Sequence, residues 1–489
     1  MTSIAETFSQ LEFAQREDAT LGRSTAHALL VRLMPGMSTF ATSILVGRLA
    51  GLETLGEVQL VLSTAMMANL LFPTPAGSVA ARFIARATLP NTRSSPASVA
   101  RFFLKTTLVA TLVLACSVVG IQGFGFAADR VVAVMSGAMT IAFAGRALSE
   151  GFHAGLGRMH RLGTWSILVS GVSVIGTALL LIAGVHSAAV LLPLLACNLA
   201  LALRSLPPKD AALSPDERSE ALRYIGLGAT GTIASSGLAQ SAVLAASALN
   251  GLEYVGQYSA AMTLTTPFAM LASALSLVLF PALAKAHSND DLELQRRLTD
   301  TATRRLGSAL ILGGLILAPL APSLVRLLWG ESFHEAASIV PLLALAAIVN
   351  GISVPAVTAL TSRSTRGMFL SATFSWIGFA AAIVIAVVLQ LATVGGAVPI
   401  AYAAGVAVIA LLPLAHTWRV LSLRWGGFAA KTAAGLACLL TVGLWSASYD
   451  LSPLHAIMIA LVFSAAWLGI NLKDFRALGR TIVATRSAG

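Results

Sequence analysis

Charged residues are scarce in this 489-residue chain. Asp, Glu, Lys and Arg make up 11% of it, against 56% hydrophobic residues and a mean hydropathy of +0.82. Soluble domains carry about 25% charged residues, and a soluble chain of this length would divide into several cores, each needing a polar surface. That surface is missing, which leaves an integral membrane protein with many spans. Cysteine is nearly absent: Cys116, Cys197 and Cys438 stand singly inside apolar runs, with no CxxC spacing. This excludes a disulfide framework and a metal site, and no motif calls for a cofactor. Acids are outnumbered, 21 against 32 Lys and Arg, for a net charge of +11. The basic residues are not gathered on one domain with interleaved aromatics, so nucleic acid is excluded as a partner. They occupy short gaps between apolar runs, where positive charge sets topology. The opening segment, 1–24, lacks a basic stretch followed by an apolar core; it reads as a cytoplasmic tail and not as a cleaved signal.

What the chain has is a succession of apolar runs near the 20 or so residues that a helix needs to cross the hydrocarbon core. About fourteen segments qualify: 25–47, 58–81, 102–122, 131–150, 164–184, 187–203, 224–247, 256–280, 306–327, 336–361, 368–390, 393–417, 430–447 and 453–472. With the N-terminus inside, only Arg48, Arg130 and Arg326 fall in outer gaps. Arg32 alone lies well within a span, and every other Lys and Arg is cytoplasmic. One helix more or fewer would invert every later loop and destroy this bias, so both termini are expected in the cytoplasm. All gaps are short. The fold class is therefore an all-α membrane bundle with no folded domain on either side.

Two stretches recur at nearly one offset. "GLETLGEVQL" at 51–60 returns as "GLEYVGQYSA" at 251–260, and the Arg-x-x-Arg of Arg158 and Arg161 returns as Arg363 and Arg366. The expected organisation is two parallel six-helix repeats, 25–205 and 206–420, followed by a C-terminal helix hairpin and basic tail, 421–489. Six is even, so both repeats enter from the same side, as in transporters that rock about a central cavity.

Polar residues inside spans mark candidate sites, because each is expensive in lipid. On the first helix Arg32, Gly36, Thr39, Ser43 and Gly47 share one face. Arg32 is the candidate phosphate ligand, with Arg48 near the outer exit and Arg223 at the inner mouth. Thr39, Ser43, Asn69, Gln240 and Asn350 are the candidate cavity polars. No acid lies clearly within a span; Glu57, Glu150 and Glu335 come closest. A cavity lined by arginine and neutral polars suits an anionic solute, whereas cation-coupled antiporters usually need a buried carboxylate.

The segment "VGRLAGLETLGEVQLVLSTAMMANLL", continuing to "SVAARFIARA", resembles the first two helices of bacterial oligosaccharide-lipid flippases. "GLEYVGQYSAAMTLTTPFAMLASALSLVLFPALAKAH" is similar to their eighth helix, including the Leu-Phe-Pro and the terminal basic residue. These flippases belong to the multidrug/oligosaccharidyl-lipid/polysaccharide exporter superfamily. The resemblance implies an inner-membrane flippase, not an enzyme, that turns a polyprenyl-pyrophosphate oligosaccharide to the outer leaflet by alternating access. It also implies partners among membrane lipids and the polysaccharide polymerase and export machinery. The eighth helix has no charged residue within its span, a departure from lipid II flippases that points to an exopolysaccharide or O-antigen unit. Two rivals remain. A multidrug antiporter of the same superfamily would be favoured by Glu57 or Glu150 deep in the bundle. A membrane-embedded polymerase or ligase would need an outer loop that the gaps do not supply.

Overall fold

Single glycines bend the two longest helices of the chain, and both bends fall on the recurring Gly-Leu-Glu. In this computed structural model the backbone is described for residues 2–88, 94–125, 129–208, 213–363, 365–393, 396–449 and 451–472; side chains are described from residue 33 onward, apart from 124, 125, 277, 278 and 365. Helix α1, Thr2–Leu71, breaks at Gly51 (φ 87°, ψ −172°), and α7, Pro215–Ser288, breaks at Gly251 (φ 83°, ψ 179°). A side chain at this positive φ with extended ψ would be strained, so glycine is what lets each chain turn without a loop.

The remaining helices are shorter. In the first part of the chain they are α2 (Pro73–Ala87), α3 (Pro96–Gly120), α4 (Arg130–Gly155), α5 (Met159–Ile182) and α6 (Leu192–Arg204). After α7 come α8 (Leu292–Leu328), α9 (Ala336–Arg363), α10 (Thr365–Leu391), α11 (Ala397–Val420), α12 (Gly426–Ser448) and α13 (Pro453–Ile470). Among the described residues there is no strand. Among those residues eleven helices are long and apolar enough to cross a membrane, with Ala188–Arg204 a shorter apolar helix. Each of the fourteen expected segments overlaps a helix. Helices are fewer than segments because the chain runs helically through Gly51 and Gly251.

Caps set the ends. Ser95 accepts from the Ser98 N–H at the start of α3, and Asp129 accepts from Val131 at the start of α4. Ser214 and Glu217 form a reciprocal pair at the start of α7, the Ser-x-x-Glu arrangement that satisfies the first free N–H groups. Several helices outrun the expected spans. Arg82 and Arg86 stand on α2, and Arg296, Arg297, Arg304 and Arg305 stand on α8, where loops were expected.

Lipid tails are as apolar as leucine, so helices in a membrane associate through close packing and hydrogen bonds more than through the hydrophobic effect. The α1–α7 crossing shows this. A Cβ at Gly56 would run into the Leu252 carbonyl oxygen, and a Cβ at Gly256 into the Leu52 carbonyl oxygen. The contact is reciprocal about the two bends. Beside it Ser259 Oγ donates to Gln59 Oε1 at 3.2 Å, joining residues 200 apart in sequence. Thr263 Oγ1 pairs with Ser43 Oγ at 3.1 Å, and the buried Trp329 indole donates to the Ser43 carbonyl at 3.1 Å. Leu55, Val58, Val255, Tyr258 and Phe333 fill the space around these bonds, all of them buried. The end of the bundle at the two bends is therefore sealed.

At the opposite end, Arg86 pairs with Glu220 at 3.2 Å, the Arg82 guanidinium lies 4.6 Å from the Tyr224 ring centre, and Ser94 donates to Glu217. These contacts tie α2 and its following turn to α7. The α12–α13 hairpin packs on α8 through Trp467 Nε1, which donates to the Ser308 carbonyl, and Ser446 Oγ, which donates to the Ala318 carbonyl.

Gly256→Val should force α1 and α7 apart at their crossing, at a cost of about 1–3 kcal/mol for overpacking. A single cysteine at Ser259, in a background without the three native cysteines, should then become reactive to a membrane-impermeant maleimide. Protection as complete as in the parent would show that the crossing does not hold the seal.

Candidate functional site

Hydroxyl groups on two facing helices line a cavity of about 400 Å³ beneath the sealed end. Before its bend, α1 contributes Ser38, Thr39, Thr42 and Ser43, and α5 answers with Ser170 and Ser173. Ser38 Oγ lies 3.3 Å from Ser173 Oγ, and Thr39 Oγ1 donates to the Pro35 carbonyl at 2.9 Å, four residues back. A hydroxyl bonded to its own helix keeps lone pairs for a ligand, so such a stripe is inexpensive to bury and ready to bind. Past the bend, α1 adds Gln59 and Asn69. From α7 come Ser236 and Gln240, the only lining residues that come from beyond α6.

Asn69 is 3% exposed and fully committed as a donor. Its Nδ2 gives one hydrogen to the Ala65 carbonyl at 2.7 Å and the other to the Thr140 carbonyl at 3.1 Å, tying α1 to α4. An amide nitrogen has two hydrogens to give, so the orientation is fixed and Oδ1 is left as a buried acceptor with no partner. Such an atom is costly unless something donates to it.

The charge in the cavity comes from α4. Arg146 and Glu150, one helical turn apart, both line it, and Arg146 Nε donates to Glu150 Oε1 at 2.8 Å. The Arg146 side chain is 19% exposed and that of Glu150 is 40% exposed. The contacts of Arg146 engage only Nε, so its terminal nitrogens stay available. A guanidinium presents them as a planar fork matched to carboxylate or phosphate oxygens.

Of the residues singled out from sequence, Thr39, Ser43, Asn69 and Gln240 line this cavity. Arg48, Arg223 and Asn350 are exposed and do not. Arg48 stands three residues before the α1 bend, its Nη1 against Gly330. Arg32 lies outside the residues whose side chains are described. Sequence reasoning missed Arg146, because it closes an apolar run and was counted with the loop arginines that follow. The signal that could have found it is the Arg–Glu spacing of four in "GRALSE", which puts both on one helix face. Glu150, read as the end of a span, lines the cavity. Glu57 is also inside the bundle, its carboxylate accepting the Ala188 N–H at 2.8 Å. No group of three or more His, Cys, Asp or Glu that could hold a metal occurs among the described residues.

No protein-family model matches the chain, and no curated protein matches it. Solved structures do. A lipid II flippase, MurJ, in an inward closed conformation matches with a TM-score of 0.68 and 11% identity, over 92% of this chain and 99% of that one. A multidrug resistance MATE family transporter of the MOP superfamily, inward-facing, matches with a TM-score of 0.64 and 14% identity, over 81% and 98%. A MOP superfamily transporter from Pyrococcus furiosus matches at 0.57 and 16% identity, over 82% and 95%. This chain therefore has the overall fold of these MOP superfamily transporters.

Proposed function

We propose that the protein is a flippase for a polyprenyl-pyrophosphate oligosaccharide. In this reading its two six-helix repeats, 25–205 and 206–420, rock about the α1–α7 crossing. The positive-inside bias puts the crossing on the outer side and both termini in the cytoplasm. The membrane is the bacterial inner membrane, and the lipid carries an exopolysaccharide or O-antigen unit. The observation that carries the reading is the cavity lining: a dense set of hydroxyl and amide groups around one arginine with uncommitted terminal nitrogens. Sugars are clusters of hydroxyls and need such partners, and a pyrophosphate needs a fork of N–H donors. Asn69 Oδ1 would accept from a sugar hydroxyl, with Thr39, Ser43 and Gln240 beside it. Arg146 would take the phosphate, competing Glu150 away. Arg32, Arg48 and Arg223 remain candidates along the path. If the head group crosses as a net anion, an inside-negative potential contributes about 2.3 kcal/mol per charge per 100 mV to export. No bond is made or broken.

One observation favours a second reading, a cation-coupled multidrug antiporter: Glu150 lines the cavity. Its carboxylate, however, is already engaged by Arg146 at 2.8 Å, a partner that a cation-binding acid would have to give up.

The test is flipping of a fluorescent polyprenyl-pyrophosphate oligosaccharide in proteoliposomes. Loss of a charge-assisted hydrogen bond costs about 1.5–3 kcal/mol, so Arg146→Ala should slow flipping roughly ten- to hundredfold. Arg146→Lys should recover only part of it, and Glu150→Gln should leave it within about threefold. If Glu150→Gln instead abolishes proton-driven efflux of a cationic dye while the lipid is never flipped, the antiporter is the correct reading.

Asn69→Leu should weaken binding of the sugar-bearing lipid by about fivefold, the scale of one neutral hydrogen bond, and leave binding of the bare polyprenyl pyrophosphate unchanged. Equal losses for both lipids would place Asn69 outside sugar recognition.

A further inference from the structure

A second cavity, of about 560 Å³, lies on the other side of α1, between α1, the end of α3, the start of α4 and α7. Its walls are apolar: Leu60, Met67, Leu114, Val118, Leu244 and Leu252 line it. At the bend end its lining includes Gly251 and Asp129. Along α1 it runs from Leu60 to Leu71, about 16 Å at 1.5 Å per residue. Neighbouring positions on α3 and α7 are exposed, among them Leu112, Val113 and Leu249, so the groove faces the bilayer and not the polar cavity.

Two features say what fits it. The first is an orphaned acceptor. Thr64 Oγ1 gives its only hydrogen to the Leu60 carbonyl at 2.7 Å, so towards Gln122 it can only accept. Gln122 therefore donates through Nε2, at 2.8 Å, and its Oε1 is left buried with no partner in a side chain that is 4% exposed. The groove lacks a hydrogen-bond donor at this point. The second is charge. Asp129 is an exposed carboxylate at the mouth, and Glu57 lies within electrostatic reach of both Asp129 and Glu53. Asp129 thus offers the mouth an acceptor for a cation, with the exposed Arg130 beside it.

We propose that this groove holds one acyl chain of a phospholipid from the adjoining leaflet, whose primary ammonium head group donates to Asp129 and to Gln122 Oε1. An apolar chain fills the walls, and an ammonium with N–H groups answers both acceptors. The exported lipid does not fit, because its pyrophosphate is anionic and carries no cation for Asp129. Because the groove is walled by both α1 and α7 and ends at the Gly251 bend, its occupant bridges the two helices whose crossing seals the bundle. A bound phospholipid then stabilises that crossing. The proposal does not rest on the flippase reading, since it concerns a different cavity and is tested without substrate.

The test is native mass spectrometry of the full chain released from nanodiscs of equimolar phosphatidylethanolamine, phosphatidylcholine and phosphatidylglycerol. Phosphatidylcholine keeps the positive charge but has no N–H donor, so it separates charge from hydrogen bonding. Phosphatidylethanolamine should be retained about tenfold over both others, the scale of a hydrogen bond to a charged group. Gln122→Leu and Asp129→Asn should each lower that preference to about threefold or less. Ala248→Trp, at an exposed position on the α7 wall, should fill the groove and abolish retention, and it decides the matter if the Gln122 variant fails to fold. Equal retention of phosphatidylethanolamine and phosphatidylcholine overturns the proposal. So does enrichment of phosphatidylglycerol, displacement by polyprenyl phosphate, or retention unchanged in Ala248→Trp.

Discussion

The rest of the structure depends on the bare backbone contact between α1 and α7. Two helices approach this closely only where neither carries a side chain at the crossing, and here each supplies a glycine to the other's leucine carbonyl. Lipid gives no hydrophobic reward for joining two apolar helices, so the gain comes from many short-range contacts and a few hydrogen bonds. The glycines at 56 and 256 permit the approach, and the Gln59–Ser259 and Ser43–Thr263 pairs use it. The bends at Gly51 and Gly251 follow from the same constraint, because each lets one continuous helix present both its arms to the partner.

Beneath that crossing, the cavity meets a second constraint, the cost of polar groups inside a bilayer. Thr39 and Ser173 are bonded to carbonyls of their own helices and Ser38 to Ser173, which lowers the cost of these hydroxyls in an empty cavity and keeps acceptor lone pairs available. Among the described residues its arginine, Arg146, is paired with its neighbour one turn on, so this pair adds no net charge to the site. An anion arriving at Arg146 exchanges one charge-assisted bond for another and adds those of the terminal nitrogens. Binding then draws on a difference between two ion pairs and avoids leaving an arginine bare in the membrane. In the proposed cycle that difference is what a ligand can use to bias the two states of the bundle.

Most of the helical layout was legible in the sequence, because apolar runs of membrane length admit few other structures. The recurrence of Gly-Leu-Glu at an offset of 200 was legible as a repeat, but it was read as a gap between spans; that each glycine bends a continuous helix emerges only from the structure. The cavity was legible only in part. Thr39, Ser43, Asn69 and Gln240 could be found because polar residues inside spans stand out against an apolar background. Arg146 could not be found the same way. The expected span 131–150 contains it, but its place near the inner end grouped it with the cytoplasmic arginines; α4 continues to Gly155, and Arg146 and Glu150 line the cavity. The α5 hydroxyls were passed over for the opposite reason. Ser170 and Ser173 are small enough to read as packing residues, and only the position of α1 opposite them makes them a lining. Asn350 illustrates the converse: an amide in mid-span that points away from the cavity.

Asn69 and Gln122 show how much of the chemistry lies in the accounting of hydrogens. Both are buried amides in the first half of the chain, and both donate through their amide nitrogen to protein acceptors, leaving a carbonyl oxygen with no partner among the described residues. Read alone, each oxygen is a defect costing about 1–3 kcal/mol. Read with its surroundings, each belongs to a different solvent. Asn69 shares its cavity with hydroxyls and a guanidinium, where in the proposed reading the missing donor is a sugar hydroxyl. Gln122 sits among leucines beneath a carboxylate, where the missing donor must arrive on an apolar chain with a positive head. In the proposed reading, Asn69 on α1 and Gln122 just past α3 lie on opposite sides of α1 and serve a path for sugars and a seat for lipid. The wall between them is α1 itself, whose bend at Gly51 fixes both faces at once.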